Sequence, residues 1–238
     1  MRCTRTMAEQ TSGDERVDAG LAALALMRRD AEDQGLPPVG WKVGFGSPSG
    51  LALFSLDAPI IGFLTEAGAV PATEEVDIAD WVAPVVECEI AAFVARDIPP
   101  GTSASEAVAC VVSWAPAFEF ADIDAPPTNV ADVLAGNIFH RGYRIGERFD
   151  GTADAVSALS AEVVLNGERS VVTDVTALTG DLGSVIARTA ELAPMIGRGV
   201  QAGDVILTGS IIPPAPVRPG SVITYRLSDS PTMAATFT

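Results

Sequence analysis

Glu87 and Glu89, separated by one residue in VVECEIAA, are the first pair in this chain whose types and spacing suggest chemistry. Alternate residues of a strand share a face, so in an extended segment both carboxylates project to one side while Val86, Cys88 and Ile90 project to the other. The apolar flanks imply burial. Two adjacent buried carboxylates raise each other's pKa and cost stability unless something offsets them. A bound cation would do so, as would a lysine or one shared proton. Glu119, in the apolar segment PAFEFADI, offers a third carboxylate. Three carboxylates with positions left for water or substrate suit Mg²⁺ or Mn²⁺, hard ions that prefer oxygen, better than zinc or copper. The single histidine rules out a histidine-rich site. The same spacing also describes an edge strand whose glutamates face water.

Lys42 lies in Gly40-Trp41-Lys42-Val43-Gly44, where glycines permit close approach and the neighbours are apolar. A lysine held there could bind a carboxylate or move a proton; it could equally snorkel from a strand to solvent. Asp57, before Ala58-Pro59, reads as a turn residue as readily as a functional one. His140 is either a base or a partly buried, hydrogen-bonded side chain. Gly209-Ser210 turns the chain after a strand, and its backbone amides could hold a carboxylate. No GxSxG elbow accompanies His140, which argues against a serine hydrolase.

These residues need elements to hold them. Apolar positions Leu21, Leu24, Ala25 and Met27 recur at helical spacing over 17–34 and stop at Gly35-Leu36-Pro37-Pro38, which predicts an N-terminal helix. GWKVGFGSPSG and APIIGFLTEAGAV suit strands and turns better than helices. The run from Trp81 to the double proline at 99–100 predicts a long buried strand. GTSASEAVACVVSW, with a capping box at Ser103 and Glu106, predicts a helix, and APAFEFADI a strand before the loop DAPPTN. Asn166-Gly167 between alternating runs predicts a hairpin with a type I′ turn. Asp181 caps a helix to about Met195, and GDVILTGSI, SVITYRL and MAATF close the chain as three strands. Strands outnumber the helices interspersed among them, so the expected fold is mixed α+β, built on a folded sheet or barrel.

The chain has 238 residues, enough for a sizeable core, with residues 1–16 expected to be frayed and 17–238 to form a single domain. Met7 is a possible alternative initiator. A formal charge of −16, with 15 Lys and Arg that nowhere cluster, disfavours nucleic acid and anionic membranes as partners. Cys3, Cys88 and Cys110 indicate neither a disulfide framework nor a thiolate metal site. No run reaches the roughly 20 apolar residues a spanning helix needs, and the N-terminus has no signal-peptide pattern, so a cytoplasmic protein is expected.

In order, GWKVG, PVVECEIAAFVARDIP, PAFEFADI and QAGDVILTGSIIPPAPVRPGSVITYRL resemble the 2-keto-4-pentenoate hydratase and 4-oxalocrotonate decarboxylase branch of the fumarylacetoacetate hydrolase superfamily, over roughly residues 20–237. The resemblance implies a mixed β-sandwich or barrel-like fold with flanking helices and an Mg²⁺ or Mn²⁺ ion held by Glu87, Glu89 and Glu119. In such enzymes the ion chelates the carboxylate and 2-oxo group of the substrate and stabilises an enolate. Lys42 would transfer a proton or bind the carboxylate, Glu87 would share in catalysis, and Asp57 and Ser210 would line the substrate pocket. The activity implied is hydration of a 2-hydroxypenta-2,4-dienoate in aromatic or steroid degradation. Rival readings are decarboxylation of a 2-oxo-3-enedioate, acylpyruvate-type hydrolysis, and a non-catalytic partner subunit. The resemblance also implies a homo-oligomer. Two positions depart from the family pattern: Asp124 stands where relatives usually carry an arginine, and Gly136-Asn137 where they usually show Asp-Asn.

Overall fold

A computed structural model describes residues 11–238. Cys3, Met7 and the first ten residues of the stretch expected to be frayed lie outside them. Its helices are α1 (Glu15–Asp33), α2 (Pro48–Phe54), α3 (Ala104–Val108), α4 (Val130–Ala135), α5 (Ala153–Ser157) and α6 (Leu182–Leu192). The first strands are β1 (Pro38–Gly44), β2 (Ile60–Thr65), β3 (Pro84–Val94), β4 (Val111–Asp122) and β5 (His140–Ile145). They are followed by β6 (Ala161–Leu165), β7 (Glu168–Val172), β8 (Val205–Ser210), β9 (Ala215–Pro216), β10 (Val222–Leu227) and β11 (Met233–Thr236).

The larger sheet runs β2-β1-β8-β3-β4-β5, with β9 beside β3, and the smaller runs β11-β10-β6-β7. β1 and β8 are parallel, which the chain achieves only because most of its length intervenes between them. The other pairs are antiparallel. Alternation along β3 and β4 separates two faces. Val86, Cys88, Ile90, Phe118 and Phe120 join the main core, where Phe118 packs on Tyr225 of β10 at 6.0 Å between ring centroids and Phe120 meets Phe237 edge-on at 5.8 Å. The opposite face carries small residues, Ala91, Ala115 and Ala117, and curls into a half-barrel. The mixed α+β fold expected from the sequence is the one observed. Among the described residues, no helix is long and apolar enough to cross a membrane.

The Asn166-Gly167 hairpin joins β6 and β7 with φ of 51° and 88°, the double positive φ a type I′ turn requires. Three expectations need correction. The helix read over GTSASEAVACVVSW ends at Val108, and β4 begins at Val111. Its capping box is present, but Val111, Val112 and Trp114 favour an extended chain that pairs along β3. GSPSG, read as a turn, opens α2: Pro48 sits in its first turn, where a missing N–H costs nothing, and the Ser47 side chain accepts from the Gly50 amide. The N-terminal order begins before residue 17, with Asp14 capping α1 at Glu15.

Candidate functional site

β3 and β4 pair so that Glu87 lies directly opposite Glu119. Directly opposed residues on antiparallel strands put their side chains on the same face. Glu89, two residues along β3, shares that face and lies opposite Ser210 of β8. Lys42 of β1, paired with Leu207 of β8, faces the same concavity. Glu89, Glu119 and Lys42 are 0%, 1% and 2% exposed, and β3 has neighbours on both sides, so neither solvent-facing glutamates nor a snorkelling lysine describes this place.

Charge here is unequally compensated. Lys42 Nζ contacts Glu119 Oε1 and donates to the Ile138 carbonyl at 3.1 Å. His140 Nδ1 lies 2.9 Å from the same Glu119 oxygen. Burial pushes the Glu119 carboxyl up, but Lys42 and His140 outweigh it and hold the group below its ordinary range. Nothing comparable serves the other two. Burial, reinforced by the Glu119 charge, pushes Glu87 up to about 7. Burial, with the charges of Glu119 and Glu87, pushes Glu89 well above the carboxylate range. One Glu89 oxygen accepts from the Gly209 amide at 2.8 Å, while its buried Oε1 has no hydrogen-bond partner. Two buried carboxylates and a half-buried third against one lysine, with one orphaned acceptor, are a donor set that fits a hard divalent cation. Among the described residues, however, no three Asp, Glu, His or Cys side chains are already disposed around one point as a coordination sphere, because Glu119 is turned to Lys42 and His140.

A pocket of about 380 Å³ opens onto Lys42, Glu87 and Ser210. Part of its wall is a strained segment: Asn137, Ile138 and Phe139 have φ of 51°, 54° and 62°. A β-branched residue in the left-handed region is costly, and here the surroundings impose it. The buried Asn137 amide accepts from Phe63 N at 3.0 Å and donates to Phe63 O at 2.9 Å. Gly62, beside it on β2, has no room for a Cβ, which would lie 2.4 Å from Asn137 Oδ1. The strain thus directs the Ile138 carbonyl at Lys42 and sets Ile138 and Phe139 in the pocket wall.

Of the residues singled out from sequence, the fold gathers Lys42, Glu87, Glu89, Glu119 and Ser210. It does not bring Asp57 to them. Asp57 is exposed in a bend beside Ser12, Arg16 and Arg188, in a separate surface depression. The resemblance had placed Asp57 among the residues lining the pocket; among the described residues it lines this depression instead. Asp124, the first departure, is paired with Arg141 at 2.9 Å. His140, read from sequence as a base or a partly buried, hydrogen-bonded side chain, is partly buried and bonded to Glu119, with its buried Nε2 without a partner. Thr179 is a functional candidate that sequence reasoning missed. Thr179 lines the pocket with an unpartnered hydroxyl, and nothing in LTGDLG announces it.

Comparison with known proteins identifies the family and the fold. The sequence profile described as "Fumarylacetoacetate (FAA) hydrolase C-terminal" matches residues 52–238. A 4-oxalocrotonate decarboxylase of Pseudomonas putida is 30% identical over 215 residues, covering 89% of this chain and 81% of its own. A 2-hydroxyhexa-2,4-dienoate hydratase of Comamonas testosteroni is 26% identical over 247 residues, covering 100% and 93%. The solved 4-oxalocrotonate decarboxylase from Pseudomonas putida G7, complexed with magnesium and adipate, superposes with a TM-score of 0.81 at 25% identity, covering 96% of this chain and 100% of that one.

Proposed function

Since the chain belongs to the fumarylacetoacetate hydrolase family, we propose that it is a divalent-metal-dependent lyase acting on small 2-oxo acids, its reaction the addition of water to a 2-hydroxypenta-2,4-dienoate-type substrate. The observation that carries this reading is the convergence of Glu87, Glu89 and Glu119 on one buried face with a single lysine to offset them. Relatives are named as hydratases and decarboxylases, both lyases.

In this reading Glu87, Glu89 and Glu119 hold Mg²⁺ or Mn²⁺, and magnesium in the solved relative supports a divalent ion. When bound, the ion supplies Lewis-acid stabilisation of negative charge developing on a 2-oxo group. The chain's own residues do the rest. Lys42, anchored by Glu119 and the Ile138 carbonyl, stands at the pocket wall where it can give a proton to, or bind, an anionic oxygen. Glu87 lines the pocket beside it; pushed up to about 7 in the metal-free chain, it would be held as a carboxylate by the ion, next to the substrate. Ser210 and Thr179 present hydroxyls to an incoming carboxylate. Phe45 and Phe139 exclude bulk water.

Decarboxylation of a 2-oxo-3-enedioate is the second reading, favoured by the relative at 30% identity, and it shares the enolate chemistry. Turnover by the purified protein with Mg²⁺ or Mn²⁺ tests both: hydration removes dienol absorbance without gas, and decarboxylation releases carbon dioxide. Absence of both, with or without metal, would leave acylpyruvate-type hydrolysis, read by acid production, and the non-catalytic partner subunit standing. The proposed partners are the small acid and further copies of the chain in a homo-oligomer, with a charge of −16 against nucleic acid or an anionic membrane.

A further inference from the structure

The pocket has a charged end and no second one. Among the described residues that line it, the ionisable side chains are Lys42 and Glu87, and every other polar side chain is a hydroxyl. Lys42 is already engaged by Glu119. Much of the remaining wall is Phe45, Leu53, Ile123, Phe139, Leu178 and Ile212. The cation nearest in sequence to this wall, Arg141, does not line the pocket and is held by Asp124 at 2.9 Å and Asp122 at 3.5 Å. Arg188 lies in the separate depression near Asp57.

We propose that this pocket selects 2-oxo acids whose tail is uncharged and apolar, and rejects dioates that carry a second carboxylate at the far end. The proposal rests on the reading of the site as one that grips the 2-oxo carboxylate, and it deepens that reading by naming the tail. A methyl or methylene group against this wall gains by leaving water. A carboxylate against this apolar wall gives up its hydration and meets no cation, so its transfer is unfavourable.

The test compares two ligands identical at the chelating end. With the full chain saturated with Mg²⁺, calorimetric titration of 2-oxohexanoate and 2-oxohexanedioate isolates the terminal group, methyl against carboxylate. 2-Oxobutanoate reports the chelating end alone. The expected order is 2-oxohexanoate tighter than 2-oxobutanoate, and tighter than the dioate by at least about tenfold. A dioate that binds as tightly as 2-oxohexanoate, or more tightly, overturns the proposal while leaving the chelating site intact. If none of the three binds with Mg²⁺ or Mn²⁺, the site reading itself fails and this proposal falls with it, an outcome distinct from the first because 2-oxobutanoate is then silent too.

Discussion

Lys42 on β1 touches Glu119 on β4 although two strands, β8 and β3, lie between them in the sheet. Three inter-strand steps amount to roughly 14 Å on a flat sheet. The contact therefore depends on the sheet curling until its second and fifth strands, β1 and β4, face each other across the concave side. Small residues at Ala91, Ala115 and Ala117 leave that side room to close. One ion pair thus ties the curvature of the sheet to the charge balance of the site.

Removing the lysine tests that tie. Lys42→Met leaves Glu119 buried with His140 as its remaining side-chain partner, and breaking a buried pair from one side costs about 3–5 kcal/mol. Chemical denaturation should show a loss of that size. The double variant Lys42→Met with Glu119→Gln should recover much of it, because the second change removes the stranded charge. A double variant no more stable than Lys42→Met would show that the pair does not hold the sheet in this way.

Substitution of Glu89 should separate binding from folding. Glu89→Gln keeps the shape and removes a carboxyl whose ionised form burial disfavours, so the metal-free protein should unfold at the same temperature or higher. Stabilisation by Mg²⁺ should disappear and turnover fall by two or more orders of magnitude. Glu87→Ala and Glu119→Ala should likewise lose metal while keeping the circular dichroism of the fold. Full metal occupancy in any of the three would remove that residue from the ligand set.

Metal binding and metal-free stability should respond to pH with opposite signs. Glu87 is raised from the ordinary 4.5 to about 7 in the folded metal-free chain, so the folded state holds more protons than the unfolded one between those values. Its contribution is fully present below the unfolded pKa and is lost as pH rises through about 7. Glu89, raised further, extends the loss upward. Glu119, which is lowered, acts only where acid begins to protonate it. The melting temperature without metal should thus fall between about pH 5 and about pH 8, while the increment added by Mg²⁺ grows, since the ion binds deprotonated carboxylates. Thermal scans in chelator and in Mg²⁺ read both trends, and an increment independent of pH would contradict them.

Asn137→Ala tests the strained segment. It deletes both hydrogen bonds to Phe63 and strands two buried backbone groups, at a cost of about 2–4 kcal/mol. With its anchor gone, the left-handed run at Ile138 and Phe139 should relax, withdrawing the carbonyl from Lys42 and altering the pocket wall. Activity should fall by more than the loss of folded protein explains. Equal specific activity per folded molecule, judged by tryptophan fluorescence and turnover together, would show that the strain is incidental.

What was legible in the sequence is what depends on neighbours along the chain. Period-two alternation at Glu87 and Glu89 predicts a shared face without knowledge of any partner strand. Asn166-Gly167 predicts its turn because positive φ is a property of those two residues. The contact of Lys42 with Glu119 was not legible, since it rests on strand order and curl that no local pattern encodes. Positive φ at Ile138 runs against that residue's own preference and is imposed by Asn137 from outside it. The end of α3 was misplaced because an apolar run such as CVVSW suits a helix or a strand, and the pairing with β3 decides. Asp57 was assigned to the pocket by resemblance alone, and it lines the separate depression instead.

The tail selection is open to reversal at Leu53. This residue sits on α2, lines the pocket, and is 54% exposed, so a longer side chain can be accommodated without disturbing the core. Leu53→Arg places a guanidinium at the rim of a wall that otherwise offers no cation. A rim ion pair in partial contact with water is worth up to about 1 kcal/mol, which corresponds to about a fivefold gain in affinity for 2-oxohexanedioate. 2-Oxobutanoate, too short to reach the rim, should bind as before. Because the new pair is exposed, added salt should erode the gain. Calorimetry at low and high ionic strength measures all three effects. An arginine that leaves the dioate unimproved, with 2-oxobutanoate unchanged, would place the end of the tail away from α2 and return the selection to the side formed by Ile123, Phe139 and Ile212.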